Sequence, residues 1–199
     1  MSLFIGVDLG TTFFKAAVFS REGKLLGLGR APLLKDESTA RCESPIDAFW
    51  KNLRVIVQDA LAQADAPPTD VVAIGYSSQA NSFVLLNAAG ECLTPLILWP
   101  DQRAMELDEK GMNWRNPDEL LSIAGLGLDG IESCYYKLEW FRQREPQIWR
   151  QMQYIQTISD FLVFGLTGER LGDQSTAALT GMWNQAQGCW WPQPFKQLG

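Results

Sequence analysis

The stretch Leu3–Phe19, LFIGVDLGTTFFKAAVF, constrains the fold more than any other part of the chain. Ile5 and Val7 alternate with the small Gly6, and Asp8 breaks the apolar run. Leu9-Gly10-Thr11-Thr12 then turns the chain, and Phe13 to Phe19 resumes a β-rich pattern. The stretch therefore reads as strand, tight glycine turn, strand. An acid at a strand end followed by Gly-Thr-Thr has a clear chemical use. Gly10 lets backbone N–H groups approach a phosphate closely. Thr11 and Thr12 add hydroxyl donors. Asp8 can hold Mg²⁺, directly or through water, because hard cations take carboxylate oxygens. Lys15 lies where a cation neutralises phosphate charge. Asp, Gly and Thr are also ordinary turn and cap residues, so these residues alone leave a plain hairpin and phosphate chemistry equally open.

Composition narrows the class. A chain of 199 residues with 46% hydrophobic residues can bury a substantial core, as one large domain or one and a half small ones. A net charge of −6 argues against nucleic acid or an anionic membrane as partner. No apolar run reaches the roughly 18 residues that a membrane-crossing helix needs. The N-terminus shows no cationic segment before an apolar run, as a signal peptide would, so a cytoplasmic protein is the expectation. Cys42, Cys92, Cys134 and Cys189 are widely spaced with no C-x-x-C pair, which favours reduced core residues over disulfides or structural zinc. Histidine is absent. That removes Ser-His-Asp and Cys-His catalysis and imidazole metal ligands, and leaves Asp, Glu or Lys as any general base.

Further along, Leu25 to Ala31 predicts a third strand antiparallel to the second, and Leu33 to Glu43 a polar, irregular link. Ser44 as N-cap, Pro45 at N1 and Asp47 at N3 predict a helix start. Ile46, Phe49, Leu53, Ile56, Val57, Ala60 and Leu61 share its core face. Val71 to Tyr76 reads as a buried strand ending in the polar Ser77 to Ser82. Phe83–Leu86 and Leu96–Trp99 read as two more strands, the latter leading through Pro100 and Asp101 into a charged helix. In open α/β sheets ligands bind beyond the carboxyl ends of strands, so Asp8, Gln79–Asn81 and Trp99–Asp101 are candidates for one cleft. Taken singly, Gln79 and Asn81 read as turn polars and Asp101 as an N-cap. Gly125 to Gly130 matches G-x-G-x-x-G but follows a short helix from Asn116 to Ala124, so it reads as a C-cap and loop, not a dinucleotide fingerprint. Tyr136 to Arg144 reads as helix, Pro146 to Gln151 as a helical turn, and Tyr154 to Thr157 as a short strand or extended link. Asp160 to Leu166 reads as helix capped by Ser159. Asp173 to Leu179 is small and polar, and Cys189 to Gly199 is aromatic and broken by proline.

These blocks, in this order, resemble the N-terminal domain of the FGGY carbohydrate kinases. The resemblance rests on IGVDLGTTFFKAAVF, the run VVAIGYSSQANSFVLLNAAGECLTPLILWPDQRA, Lys137 to Phe141, and Ser159 to Trp183. It implies a ribonuclease H-like (actin-like ATPase) α/β domain with a central mixed sheet flanked by helices. It implies phosphoryl transfer from ATP·Mg²⁺ to a hydroxyl of a sugar or polyol. Asp8 would then sit near Mg²⁺, Gly10, Thr11 and Thr12 near the ATP phosphates, and Lys15 at a position usually Arg or Lys. Trp99 matches an aromatic that packs on the substrate carbon chain in glycerol kinases. Gln79 begins the segment whose next two residues, Ala80 and Asn81, help set substrate choice in that family, and Glu132 falls near another substrate-facing position. With Asp101, placed by the strand-end rule, these are the candidate substrate-binding residues.

Ala80-Asn81 stands where glycerol kinases resemble Arg-Glu and xylulokinases Met-His, which disfavours glycerol and leaves xylulose open. Cys134 replaces the usual Pro, Ser or Thr before the Lys137 block. The aspartate that serves as base in that family lies downstream of the Trp183 block, so the expectation is an N-terminal fragment, inactive alone, of a longer kinase with an ATP-binding C-terminal domain. Dimers are frequent in the resembling family, which makes a homodimer an expected state. Two other readings stay open on the sequence. One is a non-catalytic sugar-binding or regulatory module on a kinase-derived fold; the other is an actin-like ATPase unrelated to sugars.

Overall fold

The computed structural model describes residues 2–38, 40–108, 117–126, 130 and 133–199. The strands are β1 (Leu3–Leu9), β2 (Phe13–Phe19), β3 (Leu25–Pro32), β4 (Asp36–Ser38), β5 (Arg41–Ser44), β6 (Val71–Ser78), β7 (Phe83–Leu86), β8 (Leu96–Ile97), β9 (Tyr154–Thr157), β10 (Trp183–Asn184) and β11 (Cys189–Trp190). The helices are α1 (Ile46–Gln63), α2 (Cys134–Arg144), α3 (Pro146–Gln151), α4 (Ile158–Thr167), α5 (Gln174–Leu179) and α6 (Pro192–Leu198). The chain divides into two compact units, Met1–Lys35 with Ser44–Gln79, and Asp36–Glu43 with Ala80–Gly199.

The first unit is a four-stranded sheet in the order β3-β2-β1-β6. β2 lies antiparallel to β1 and β3, and β6 lies parallel to β1, so the sheet is mixed. Strict alternation sends Leu3, Ile5, Val7 and Leu9 of β1, with Phe14, Ala16 and Val18 of β2, to one buried face. Helix α1 covers that face with Phe49, Leu53, Ile56, Ala60 and Leu61. Full burial of each large apolar side chain contributes about 1.5–3 kcal/mol. Two glycines set the spacing. A Cβ at Gly27 would lie 2.1 Å from the Ala60 carbonyl oxygen, and one at Gly29 only 1.9 Å from that of Ile56. The backbone of α1 therefore rests directly on β3.

Two expectations are corrected here. Ser44 is not the cap of α1: the helical ladder opens with Phe49 N–H donating to Pro45 O. The Ser44 hydroxyl instead donates to Leu34 O at 2.7 Å, and Ser44 closes β5. β6 forms as a strand, but it is not buried. It is the end strand of its sheet, and Val72, Ile74 and Tyr76 are exposed.

The second unit holds a five-stranded sheet, β4-β5-β8-β7-β9, and the hairpin β10-β11. The link expected to be irregular contains the β4–β5 hairpin, with Asp36 opposite Glu43. Its residues are polar because β4 is an exposed edge strand. β7 is buried at all four positions. Helix α2 is buried from Cys134 through Phe141 without a break, the mark of a helix enclosed on all sides. It packs Leu138 and Phe141 with Phe83, Leu85, Ile97 and Met182. The cap of α4 is Thr157, not Ser159: Thr157 Oγ1 accepts from Asp160 N–H, and Asp160 Oδ2 accepts from Thr157 N–H. The small polar segment after Gly172 is α5, capped by Asp173, and the proline-broken tail contains α6. Pro117–Glu119 runs into a π-turn over Leu120–Ala124 that ends at left-handed Gly125, as a C-cap requires. Residues 127–129 of the glycine-rich match lie outside the described residues.

Candidate functional site

In the first unit the polar features gather at the turn between β1 and β2. Asp8 and Lys15 are cross-strand partners in the register, so their side chains leave the same face of the sheet. Lys15 Nζ donates to Asp8 Oδ2 at 2.9 Å, with both side chains nearly half exposed. From the other side Asp8 is paired with Ser77, whose hydroxyl approaches Oδ1 at 3.4 Å. A Cβ at Gly10 would lie 2.8 Å from Phe13 O, so the turn has no room for another residue there. Gln79 is tied to this turn: its backbone N–H donates to Leu9 O, and its Nε2 donates to Gly10 O at 3.3 Å. Thr12 O accepts from Leu33 N–H. A shallow groove of about 360 Å³ runs along this face, floored by Gly6, Ala17 and Gly75 and ending at Asp8, Lys15 and Ser77.

Among the described residues no group of three or more Asp, Glu, Cys or His side chains could hold a metal ion. Asp8 offers one accessible carboxylate. That donor set suits Mg²⁺ carried in by phosphates, since this ion binds through one or two carboxylates plus substrate oxygens.

In the second unit the candidate residues lie on the loop after β6 and the turn after β8. Asn81 sits at φ 57, in the left-handed region that Asn tolerates better than most residues. Its buried Oδ1 has no hydrogen-bond donor among the described residues. Ala80, beside it, is partly buried. Trp99 presents its indole with 42% of the residue exposed, while its backbone N–H donates to the buried Ser82 Oγ at 2.9 Å.

Asp101 is fully buried. Its Oδ1 accepts from Arg103 N and Nε, and its Oδ2 accepts from Cys42 N and Arg103 Nη2, at 2.8 to 3.0 Å. Four donors occupy both oxygens, so Asp101 holds the chain in place and has no oxygen left for a substrate hydroxyl. Burial alone would raise its pKa, but the Arg103 hydrogen bonds and charge, with the Cys42 and Arg103 N–H groups, hold it below the usual carboxylate range. Burial likewise opposes the charge on Arg103, and pairing with Asp101 and Glu43 outweighs it, keeping Arg103 above its ordinary value. Reading along the sequence missed Arg103, Ser82 and Cys42; only the Asp-x-Arg spacing hinted at the first. Glu132 lies outside the described residues.

A mixed sheet with an acid and a glycine–hydroxyl turn at its open strand ends, backed by a helix, belongs to the ribonuclease H-like, actin-like ATPase class. Solved structures agree on the fold. Gluconate kinase from Lactobacillus acidophilus superposes with a TM-score of 0.87 over 99% of this chain and 39% of its own, at 24% identity. Plasmodium falciparum glycerol kinase with ADP gives 0.86 over 100% of this chain and 41% of its own, at 18% identity. Residues 3–199 match the FGGY family of carbohydrate kinases, N-terminal domain, and the chain belongs to that family. It is 26% identical to a probable L-xylulose kinase of Pasteurella multocida over its whole length. It is 28% identical to a glycerol kinase of Brucella ovis over 98% of its length. It spans 41% of each of these relatives.

Proposed function

We propose that this chain is the sugar-binding N-terminal part of an ATP-dependent kinase that phosphorylates a hydroxyl of a sugar or polyol. The observation that carries the proposal is the Asp8–Lys15 pair beside the Gly10 turn, in a chain of the FGGY family. ATP with Mg²⁺ supplies the phosphoryl group and the metal charge that stabilises its transfer. Asp8 holds the ion. Gly10 lets backbone N–H groups face the phosphates, Thr11 and Thr12 add donors, and Lys15 offsets anionic charge. The longer protein would add the rest of the sugar-binding domain, an aspartate base and an ATP-binding domain.

For the sugar, Trp99 packs against the carbon chain, as its exposed indole permits. Asn81 and Ala80 set the choice of substrate, Gln79 opens the segment that carries them, and Glu132 is a further candidate by its place in the sequence. Asp101 contributes by fixing the Trp99 turn. The relatives named L-xylulose kinase and glycerol kinase support a small ketose or polyol, and Ala80-Asn81 disfavours glycerol. The test is ADP release by the complete reading frame with ketopentoses, ketohexoses, aldonates, glycerol and longer polyols. Turnover with one substrate class is the expected result. ATP hydrolysis indifferent to every polyol, or no turnover with any, would sink the proposal.

A further inference from the structure

Lys137 is fully buried in the middle of α2. Burying an ammonium is costly unless its donors are met, and two of its three N–H donors have clear targets. Nζ donates to Leu98 O at 3.1 Å and to Trp99 O at 2.8 Å. Both carbonyls belong to one tight turn. Leu98 O also accepts from Asp101 N–H at 3.0 Å, the one-to-four bond of a β-turn with Trp99 and Pro100 at its corners. Leu98 N–H in turn donates to Cys42 O, and Trp99 N–H to Ser82 Oγ. Every backbone polar group of Leu98 and Trp99 is thus held from within the second unit. The indole of Trp99 is the part of this turn left exposed.

We infer that Lys137 is a positioning residue for the substrate: its ammonium fixes the Trp99 carbonyl and so the direction in which the indole is presented. A methionine would fill a similar volume at the buried centre of α2. The ammonium adds a grip on the turn that apolar packing cannot supply. An indole turned away from the sugar loses the apolar area it would bury against the carbon chain, and with it affinity. The inference rests on the role proposed above for Trp99 against the sugar.

The experiment uses the complete protein. Lys137→Met keeps the stem and removes every donor. Sugar KM is expected to rise on the order of tenfold, with kcat and the KM for ATP held within about twofold, the pattern of lost uniform binding. The Trp99→Ala/Lys137→Met double variant should lose no more sugar affinity than Trp99→Ala alone, because both changes act through one indole. Additive losses, an equal fall in kcat, or an unchanged sugar KM would overturn the inference. If Lys137→Met does not fold, Lys137→Gln, which keeps an amide NH₂ on a shorter stem, is read in its place with a smaller rise expected.

A second readout needs no turnover. With 5-fluorotryptophan incorporated, the fluorine resonance of Trp99, assigned by Trp99→Phe, should shift or broaden in the Lys137 variant. An unchanged line would refute the positioning role. A wild-type protein inert to every sugar would defeat the kinase reading instead, and the fluorine line would still decide whether Lys137 orients Trp99.

Discussion

Asp101 and Arg103, two residues apart, meet in a buried fork: Nε reaches Oδ1 at 2.8 Å and Nη2 reaches Oδ2 at 2.9 Å. The same guanidinium also pairs with Glu43, and Asp101 Oδ2 takes the Cys42 N–H. One pair thus ties the turn after β8 to β5. In Asp101→Asn an amide NH₂ would face donors, and Arg103 would lose its main counter-charge. Breaking a buried pair by removing one partner costs about 3–5 kcal/mol. Urea unfolding of the variant should show a loss of that size. Arg103→Lys should not rescue, since a single ammonium cannot reproduce the planar fork.

The same pair fixes an acid limit. The folded-state pKa of Asp101 lies below its unfolded value. Its contribution to stability is therefore complete above the ordinary carboxylate pKa of about 4 and is lost as pH falls through the lower folded value. Stability measured from neutral pH downward should drop more steeply in the wild type than in Asp101→Asn. Parallel curves would mean that the pair does not govern acid unfolding.

Gly29 tests the close seating of α1 on β3. A methyl there would meet Ile56 O at 1.9 Å, and the obstacle is backbone, which cannot rotate away. Overpacking of this kind costs typically 1–3 kcal/mol and sometimes more. Gly29→Ala should lie at or above about 3 kcal/mol of destabilisation in chemical denaturation. Gly23→Ala is a different case, because a Cβ there meets nothing and only its φ of 80 opposes the change. It should cost about 1–2 kcal/mol.

Much of this architecture is legible in the sequence because alternation and turn chemistry are local signals. The β1–β2 hairpin follows from Ile5, Val7 and Asp8 against Gly10, whereas the cross-strand meeting of Asp8 with Lys15 shows only in the register of the folded hairpin. The stripe from Phe49 to Leu61 likewise announces α1. What escapes depends on distant partners. Val72, Ile74 and Tyr76 look like core residues, and nothing local reveals that β6 ends the sheet. Thr157 and Ser159 are two residues apart and both suited to capping, so only geometry separates them. Asp101 reads as an N-cap or a cleft acid until Cys42 and Arg103 are seen to claim its oxygens. Lys137 marks a block of the family resemblance, but its burial does not show in the sequence, because a buried ammonium leaves no signature in hydrophobic periodicity.

Asp8 should separate chemistry from sugar binding in the intact protein. Its carboxylate is held between Lys15 and Ser77 in the first unit, whereas Trp99 and Asn81 belong to the second. Asp8→Ala removes the carboxylate proposed to hold the metal ion, and loss of a preorganised charge of that kind costs about 10²–10³ in turnover. Sugar affinity, measured by equilibrium binding, should hold. A collapse of sugar affinity with turnover at saturation unchanged would show that Asp8 serves the sugar.

Asn81 combines two features that a pair of variants can separate. Its φ of 57 favours Asn or Gly over other residues, and its buried Oδ1 lacks a donor among the described residues. A buried acceptor without a partner is rare enough to require a reason, and a substrate hydroxyl would supply the missing donor. Asn81→Gly keeps the backbone conformation and deletes the acceptor. It should change the order of preference among ketoses and polyols while leaving thermal stability near that of the wild type. Asn81→Ala deletes the acceptor and also the short polar side chain that lets Asn tolerate the left-handed region, so it should show the same altered preference with an added loss of about 1 kcal/mol or less. If both variants keep the wild-type substrate profile, Asn81 shapes the loop and does not read the sugar. If only Asn81→Ala alters the profile, the backbone conformation sets specificity and the amide does not.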